Sequence, residues 1–212
     1  GQFGSFGEGE GEFVWPVGIA VDSRYNVYVT DEWLNRISVF DQEGNFQYFW
    51  GTAGDGDGQL NLPWGITVDS EDNVYVADWR NDRIQKFAPD GRFLAKYGES
   101  GDGDGQFVRP SDVAVDENGY IYVADWGNER VQVLDPDGGF VTKLMGEATE
   151  SKWTRDFLDT NVEEGEARAR SDLDKDIDFF VDDPHERSSH IEKLFWAPTS
   201  VQLDDAGRLY VT

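Results

Sequence analysis

Three aspartate–arginine pairs stand five residues apart: Asp31 and Arg36, Asp78 and Arg83, Asp125 and Arg130. Each pair encloses a tryptophan: Trp33, Trp79 and Trp126. An acid and a base at this spacing can pair across a tight turn. An indole beside them can stack on a sugar or an aromatic group. Trp33, Trp79, Trp126, Arg36, Arg83 and Arg130 are therefore the candidate ligand-binding residues. A feature that recurs this regularly has a simpler reading as well: salt bridging or turn bonding for the pairs, and packing between repeats for the indoles.

A second acidic pattern is Asp55-Gly-Asp57-Gly, repeated as Asp102-Gly-Asp104-Gly. Calcium takes about 6–8 oxygen ligands, and its helix-flanked loops end on a bidentate Glu. Here two carboxylates alternate with glycine and no third acid follows. Turn chemistry is the favoured reading. Asp55, Asp57, Asp102 and Asp104 are weak metal candidates, with calcium the one cofactor they suggest. The only histidines, His185 and His190, are five residues apart and do not share a helical face well. No His-bearing triad or phosphate-cradling loop is present, so no catalytic residue is assigned.

The elements that must position these groups follow from a repeat. Pro16-Val-Gly-Ile-Ala-Val-Asp22 returns as Pro63-Trp-Gly-Ile-Thr-Val-Asp69 and as Pro110-Ser-Asp-Val-Ala-Val-Asp116, a step of 47 residues each time. A fourth copy, Pro198-Thr-Ser-Val-Gln-Leu-Asp204, comes 88 residues later. Within one period, four short runs alternate or are β-rich, as in residues 65–69, 73–78, 83–87 and 93–97, and turn signals separate them. Four strands with tight connections, repeated at this interval, make a propeller blade. The fold class is thus all-β: a β-propeller of four-stranded antiparallel blades, three complete and two partial, with a helical insertion. Blades are expected at about 14–51, 61–98, 108–146 and, in part, 196–212. Both ends look cut, with residues 1–6 read as the tail of a preceding outer strand, so a longer protein of six blades is expected. Strand direction alternates in such a blade. The acidic loops, the Trp loops and the insertion should therefore share one rim.

The insertion, residues 147–194, is strongly acidic. Trp153, Phe157, Leu158 and Val162 fall on one side of a predicted helix, Leu173, Ile177, Phe180 and Val181 on one side of a second, and Asp183-Pro184 reads as the start of a third. Its expected role is a brace or lid on the rim, or a docking element.

Asn81-Asp-Arg83-Ile84-Gln85 and Asn128-Glu-Arg130-Val131-Gln132, each preceded by Val-Ala-Asp, resemble NHL repeats, as does the upstream Gly-Asp-Gly-Gln-Phe…Pro…Val-Asp pattern. The resemblance covers residues 1–146 and about 195–212, and is looser in the first blade, where Leu34 takes the place of the motif Asn. It implies a six-bladed propeller. Relatives of this kind serve as interaction domains in tripartite-motif ubiquitin ligases, where some bind RNA through a basic face. Other propellers of related type are lyases or lactonases.

Composition narrows these options. The chain has 212 residues, no Cys, and a net charge of −25 from 43 acidic and 18 basic side chains. Such a surface repels nucleic acid and anionic membranes, and no apolar run is long enough to span a bilayer. Secreted or periplasmic and cytoplasmic locations both fit. The expected function is a non-catalytic binding scaffold for a protein, peptide or glycan, without nucleic acid or membrane insertion. Open blade edges offer a route to self-association. The alternative is a propeller hydrolase or lyase, lactonase-like or amidating-lyase-like, whose catalytic residues lie largely in blades outside this chain.

Overall fold

The computed structural model describes residues 3–145, 197–204 and 206–212. The predicted helical insertion lies outside the described residues. Chain contacts divide the protein into two units, residues 1–143 with 197–212, and residues 144–196. The fold described here is that of the first.

Three four-stranded antiparallel sheets follow one another. Blade 1 holds β3 (Pro16–Val21), β4 (Val27–Asp31), β5 (Arg36–Phe40) and β6 (Phe46–Trp50). Blade 2 holds β7 (Pro63–Val68), β8 (Val74–Asp78), β9 (Arg83–Phe87) and β10 (Phe93–Tyr97). Blade 3 holds β11 (Pro110–Val115), β12 (Ile121–Asp125), β13 (Arg130–Leu134) and β14 (Phe140–Leu144). A two-stranded sheet, β15 (Val201–Leu203) and β16 (Leu209–Val211), repeats the start of a blade. The first strands are mutual neighbours: β3 lies against β7, β7 against β11, and β11 against β15. This is the blade arrangement that the period implied.

Burial follows from stacking. A strand covered by a blade on each side cannot alternate between core and solvent, and β8 is buried along its whole length. Aromatic and β-branched residues fill the spaces between sheets. Tyr28, Ile37 and Val39 of blade 1 meet Ile66, Val74 and Phe87 of blade 2. Tyr75, Ile84 and Tyr97 of blade 2 meet Val113, Ile121 and Leu134 of blade 3. Blade 1 has no such cover on its leading side among the described residues. Ile19 is 63% exposed there, whereas its counterparts Ile66 and Val113 are 6% and 1% exposed.

The hairpin between third and fourth strands closes on Gly44, Gly91 and Gly138, with φ of 84°, 84° and 88°. Any side chain would be strained at such an angle. The linking loops use the same economy of short contacts. Ala53 bridges Leu60 and Ser100 bridges Phe107 in parallel pairings. The opening residues form the same loop, with β1 (Ser5–Phe6) paired to β2 (Glu12–Phe13). Phe3 stands against Phe40 at 4.8 Å, much as Trp50 stands against Phe87 at 4.5 Å.

Candidate functional site

Two of the three aspartate–arginine pairs, those of blades 2 and 3, form a buried clamp under the rim. In blade 2 the carboxylate of Asp78, fully buried, accepts hydrogen bonds from Asn61 N at 2.7 Å, Asn81 Nδ2 at 2.8 Å, Arg83 Nε at 2.8 Å and Gln85 Nε2 at 2.9 Å. Arg83 also donates to the carbonyls of Gly56 and Gln59, and Asn81 to that of Gly54. Blade 3 repeats the set with Asp125, Asn128, Arg130 and Gln132, which hold the loop at Gly101, Asp102, Gly103 and Gln106. The acidic loop and the Trp turn therefore meet on one rim, as strand direction requires. Arg83 and Arg130 direct their guanidinium groups inward to the loop backbone. Burial pushes the Asp78 carboxyl above its usual range, opposed by hydrogen bonds from Asn81, Asn61 and Arg83.

Blade 1 departs from this pattern. Asp31 accepts backbone N–H groups of Val14, Trp15, Trp33 and Leu34 and forms no ion pair with Arg36. Arg36 still holds the loop through the carbonyls of Glu8, Gly9 and Glu12. Leu34 and Ser38 occupy the positions of Asn81 and Gln85. Arg36 Nε, whose counterparts in blades 2 and 3 bond the clamp aspartate, and Ser38 Oγ are buried without a partner.

The tryptophans do not all fall in register. Counting from the clamp aspartate, Glu32 takes the place of Trp79 and Trp126, and Trp33 the place of Arg80. Trp33 points outward, 65% exposed. Trp79 and Trp126 open the single 3-10 turns Trp79–Asn81 and Trp126–Asn128. Each turn ends on a left-handed residue, Asp82 or Glu129. Asp82, short and polar, tolerates that conformation better than Glu129 does.

Two residues that motif spacing did not select complete the rim. Trp64, just after Pro63, stacks on Trp79 with centroids 5.1 Å apart and planes 14° apart. Its Nε1 donates to Glu32 Oε2 at 2.6 Å. Arg109, just before Pro110, places its guanidinium carbon 5.0 Å from the Trp79 ring and 6.0 Å from that of Trp126. Its own backbone is left-handed, φ 53°, where an ordinary side chain is strained. Asp82 Oδ1 holds it there by accepting the Arg109 N–H at 2.7 Å. Arg80 approaches Trp79 at 5.7 Å. The result is a continuous track, Glu32–Trp64–Trp79–Arg109–Trp126, crossing from blade 1 to blade 3. Trp79 and Trp126 are only partly covered and Arg109 is exposed. Trp79 Nε1 has no hydrogen-bond partner.

The acidic loop carboxylates make no contact with this track. Asp57 pairs with Lys96 at 2.7 Å and Asp104 with Lys143 at 3.2 Å, both at the surface. Asp55 and Asp102 are exposed. Among the described residues, no three His, Asp or Glu side chains converge on a metal-sized site.

Comparison with known proteins agrees with the repeats just described. The NHL repeat model matches residues 60–87 and 107–134. Protein brain tumor of Drosophila melanogaster is 42% identical over 50 residues, covering 24% of this chain and 5% of that protein. Protein lin-41 of Caenorhabditis elegans is 50% identical over 44 residues, covering 21% and 4%. The chain thus matches a small part of each relative's length. Among solved structures, a streptogramin B lyase superposes with a TM-score of 0.55 at 16% identity, over 93% of this chain and 47% of that one. At such identity the likeness concerns fold alone. The protein is a β-propeller of four-stranded antiparallel blades. Its second and third blades are NHL repeats.

Proposed function

We propose that this propeller is a non-catalytic binding scaffold, and that its ligand, a protein or peptide segment, docks on the tryptophan–arginine track of the rim. The observation that carries the reading is Arg109 set between Trp79 and Trp126. Its left-handed backbone recurs before two of the other repeat prolines, at Leu62 and Ala197, so it is the side chain that singles this position out. Trp, Tyr and Arg are the residues that dominate binding energy in docked interfaces. Loops fixed by buried clamps lose little entropy on binding, which favours affinity. Glycan stacking on the same indoles is the other outcome that the test must separate.

The experiment is selection against the folded chain with a displayed random-peptide library and, in parallel, a glycan array. Trp126→Ala and Arg109→Ala are the test variants and Asp57→Ala the surface control. Peptides that bind the parent and the control but lose at least about tenfold affinity on the two test variants support the reading, since one hot-spot side chain is worth about 1.4 kcal/mol or more. Glycan hits with that profile would reassign the ligand class. Equal binding by parent and both variants would remove the rim as the site.

A further inference from the structure

The four inner strands line a half-open concavity of about 710 Å³, from Val17 to Val21, Trp64 to Val68, Ser111 to Val115 and Thr199 to Leu203. That volume lies within the range of about 300–1,000 Å³ typical of small-ligand sites. Only one lining residue carries a charge, Asp112. It is also the residue that breaks the repeat. Gly18, Gly65 and Ser200 stand at the equivalent position of the other blades.

The bonds that Asp112 makes explain a polar residue there but not a charged one. Oδ2 accepts Ser200 Oγ at 2.8 Å and Val201 N at 3.0 Å, and Oδ1 accepts Val113 N at 2.9 Å. These bonds join β11 to β15, and an asparagine could make part of the same set. No arginine or lysine lies among the partners. A carboxylate offers about four lone-pair sites, so it keeps capacity for one more donor. Gly65 of the neighbouring blade makes room for Asp112 itself, since a Cβ built there would overlap Asp112 Oδ1 and Cα, so the remaining capacity is on the side that faces the cavity. A partly buried carboxylate with hydrogen bonds and no counter-charge is more costly to keep ionised than one in water. A cation arriving in the cavity would relieve that cost.

We propose that the inner cavity binds one organic cation, a primary ammonium on an apolar body, with Asp112 as its counter-charge. The surface facing the cavity is more polar than apolar, so Trp64 is the group that takes the apolar body, and Asp112 supplies the single point of charge recognition. Burial raises the Asp112 carboxyl above its ordinary range, against hydrogen bonds from Ser200, Val201 and Val113. Binding therefore favours the ionised form and strengthens as pH rises through that group's titration. This site is separate from the rim, and its test does not depend on rim binding.

The test is titration with phenethylammonium, with 2-phenylethanol as the neutral comparator. Binding is read by calorimetry and by the 13C carboxyl shift of Asp112 in the unmodified chain. A second arm uses a short lysine-containing peptide, which distinguishes a free amine from a lysine side chain as the source of the cation. The proposal expects phenethylammonium or the peptide to move the Asp112 carboxyl resonance. It also expects Asp112→Asn to weaken that binding at least about tenfold, the usual scale for losing one charge-assisted contact, with little change for 2-phenylethanol. Should Asp112→Asn fail to fold, Asp112→Gly, which restores the residue of blades 1 and 2, takes its place. Equal affinity in parent and variant, or a carboxyl resonance that neither cation moves, overturns it.

Discussion

The clamp beneath the rim makes a quantitative prediction. Asp78→Ala removes a buried carboxylate that receives four hydrogen bonds. Asn81 and Gln85 each keep a second acceptor in the loop, the carbonyls of Gly54 and Gln59. Arg83 keeps the carbonyls of Gly56 and Gln59 but loses its counter-charge, with its side chain only 8% exposed. Asn61 N loses its acceptor. An uncompensated buried charge costs about 3–5 kcal/mol, so we expect a loss near 4 kcal/mol. For a domain of this size that lowers Tm by about 8–16 °C, since each kcal/mol is worth about 2–4 °C. The control is Asp57→Ala, which breaks an ion pair whose side chains are 53% and 52% exposed. Exposed pairs are worth about 0–1 kcal/mol. Urea and thermal unfolding of the two variants, side by side, measure the difference. If Asp78→Ala costs no more than Asp57→Ala, the clamp does not hold the blade and the rim is positioned by something else.

Further outcomes follow from the same contacts. Leu34→Asn with Ser38→Gln should give blade 1 the missing clamp members, with the new Gln reaching Gly11 N–H and the Glu12 carbonyl. The double variant should gain about 1–2 kcal/mol in urea unfolding, because it removes one buried orphan, the Ser38 hydroxyl, and such a group costs about 1–3 kcal/mol; a loss would show that the site cannot accept them. Ser23 donates its backbone N–H and its hydroxyl to Asp72, which holds that carboxyl below the usual range. A depressed folded value stabilises above the unfolded pKa of about 3.9 and is lost as pH falls through the folded one. Asp72→Asn should therefore flatten the decline of stability below about pH 4, and an unchanged slope in denaturation at pH 6, 4 and 3 would contradict it. Millimolar calcium should leave the thermal midpoint unchanged, because Asp57 and Asp104 are committed to Lys96 and Lys143; a rise that EDTA reverses would restore calcium to these loops.

Periodic residues were the legible ones. Proline, glycine and aspartate recurring at 47 residues announce a blade, because tight turns and left-handed backbone limit which residues fit. The Asp78–Arg83 and Asp125–Arg130 pairs were readable for the same reason. Their burial, and the part played by Gln85 and Gln132, were not, since spacing does not tell which side of a strand a neighbouring blade will cover. Trp33 misleads: its type repeats, yet it sits one place out of register with Trp79, and Glu32 faces Trp64 instead. Trp64, Arg109 and Asp112 escaped notice because they occur once. The available signal was each one's departure from the repeat beside a proline that recurs. Under the proposed function, the uncommon residue on the common scaffold supplies the specificity, as loops on rigid supports generally do.

The rim as docking surface is tested most directly by a hydrogen-exchange footprint of the chain saturated with its selected peptide. The account predicts protection concentrated at residues 79–82, 108–110 and 126–129, with the opposite turns at 70–72 and 117–119 unchanged. Protection confined to those opposite turns, or to the outer strand β14, would contradict it.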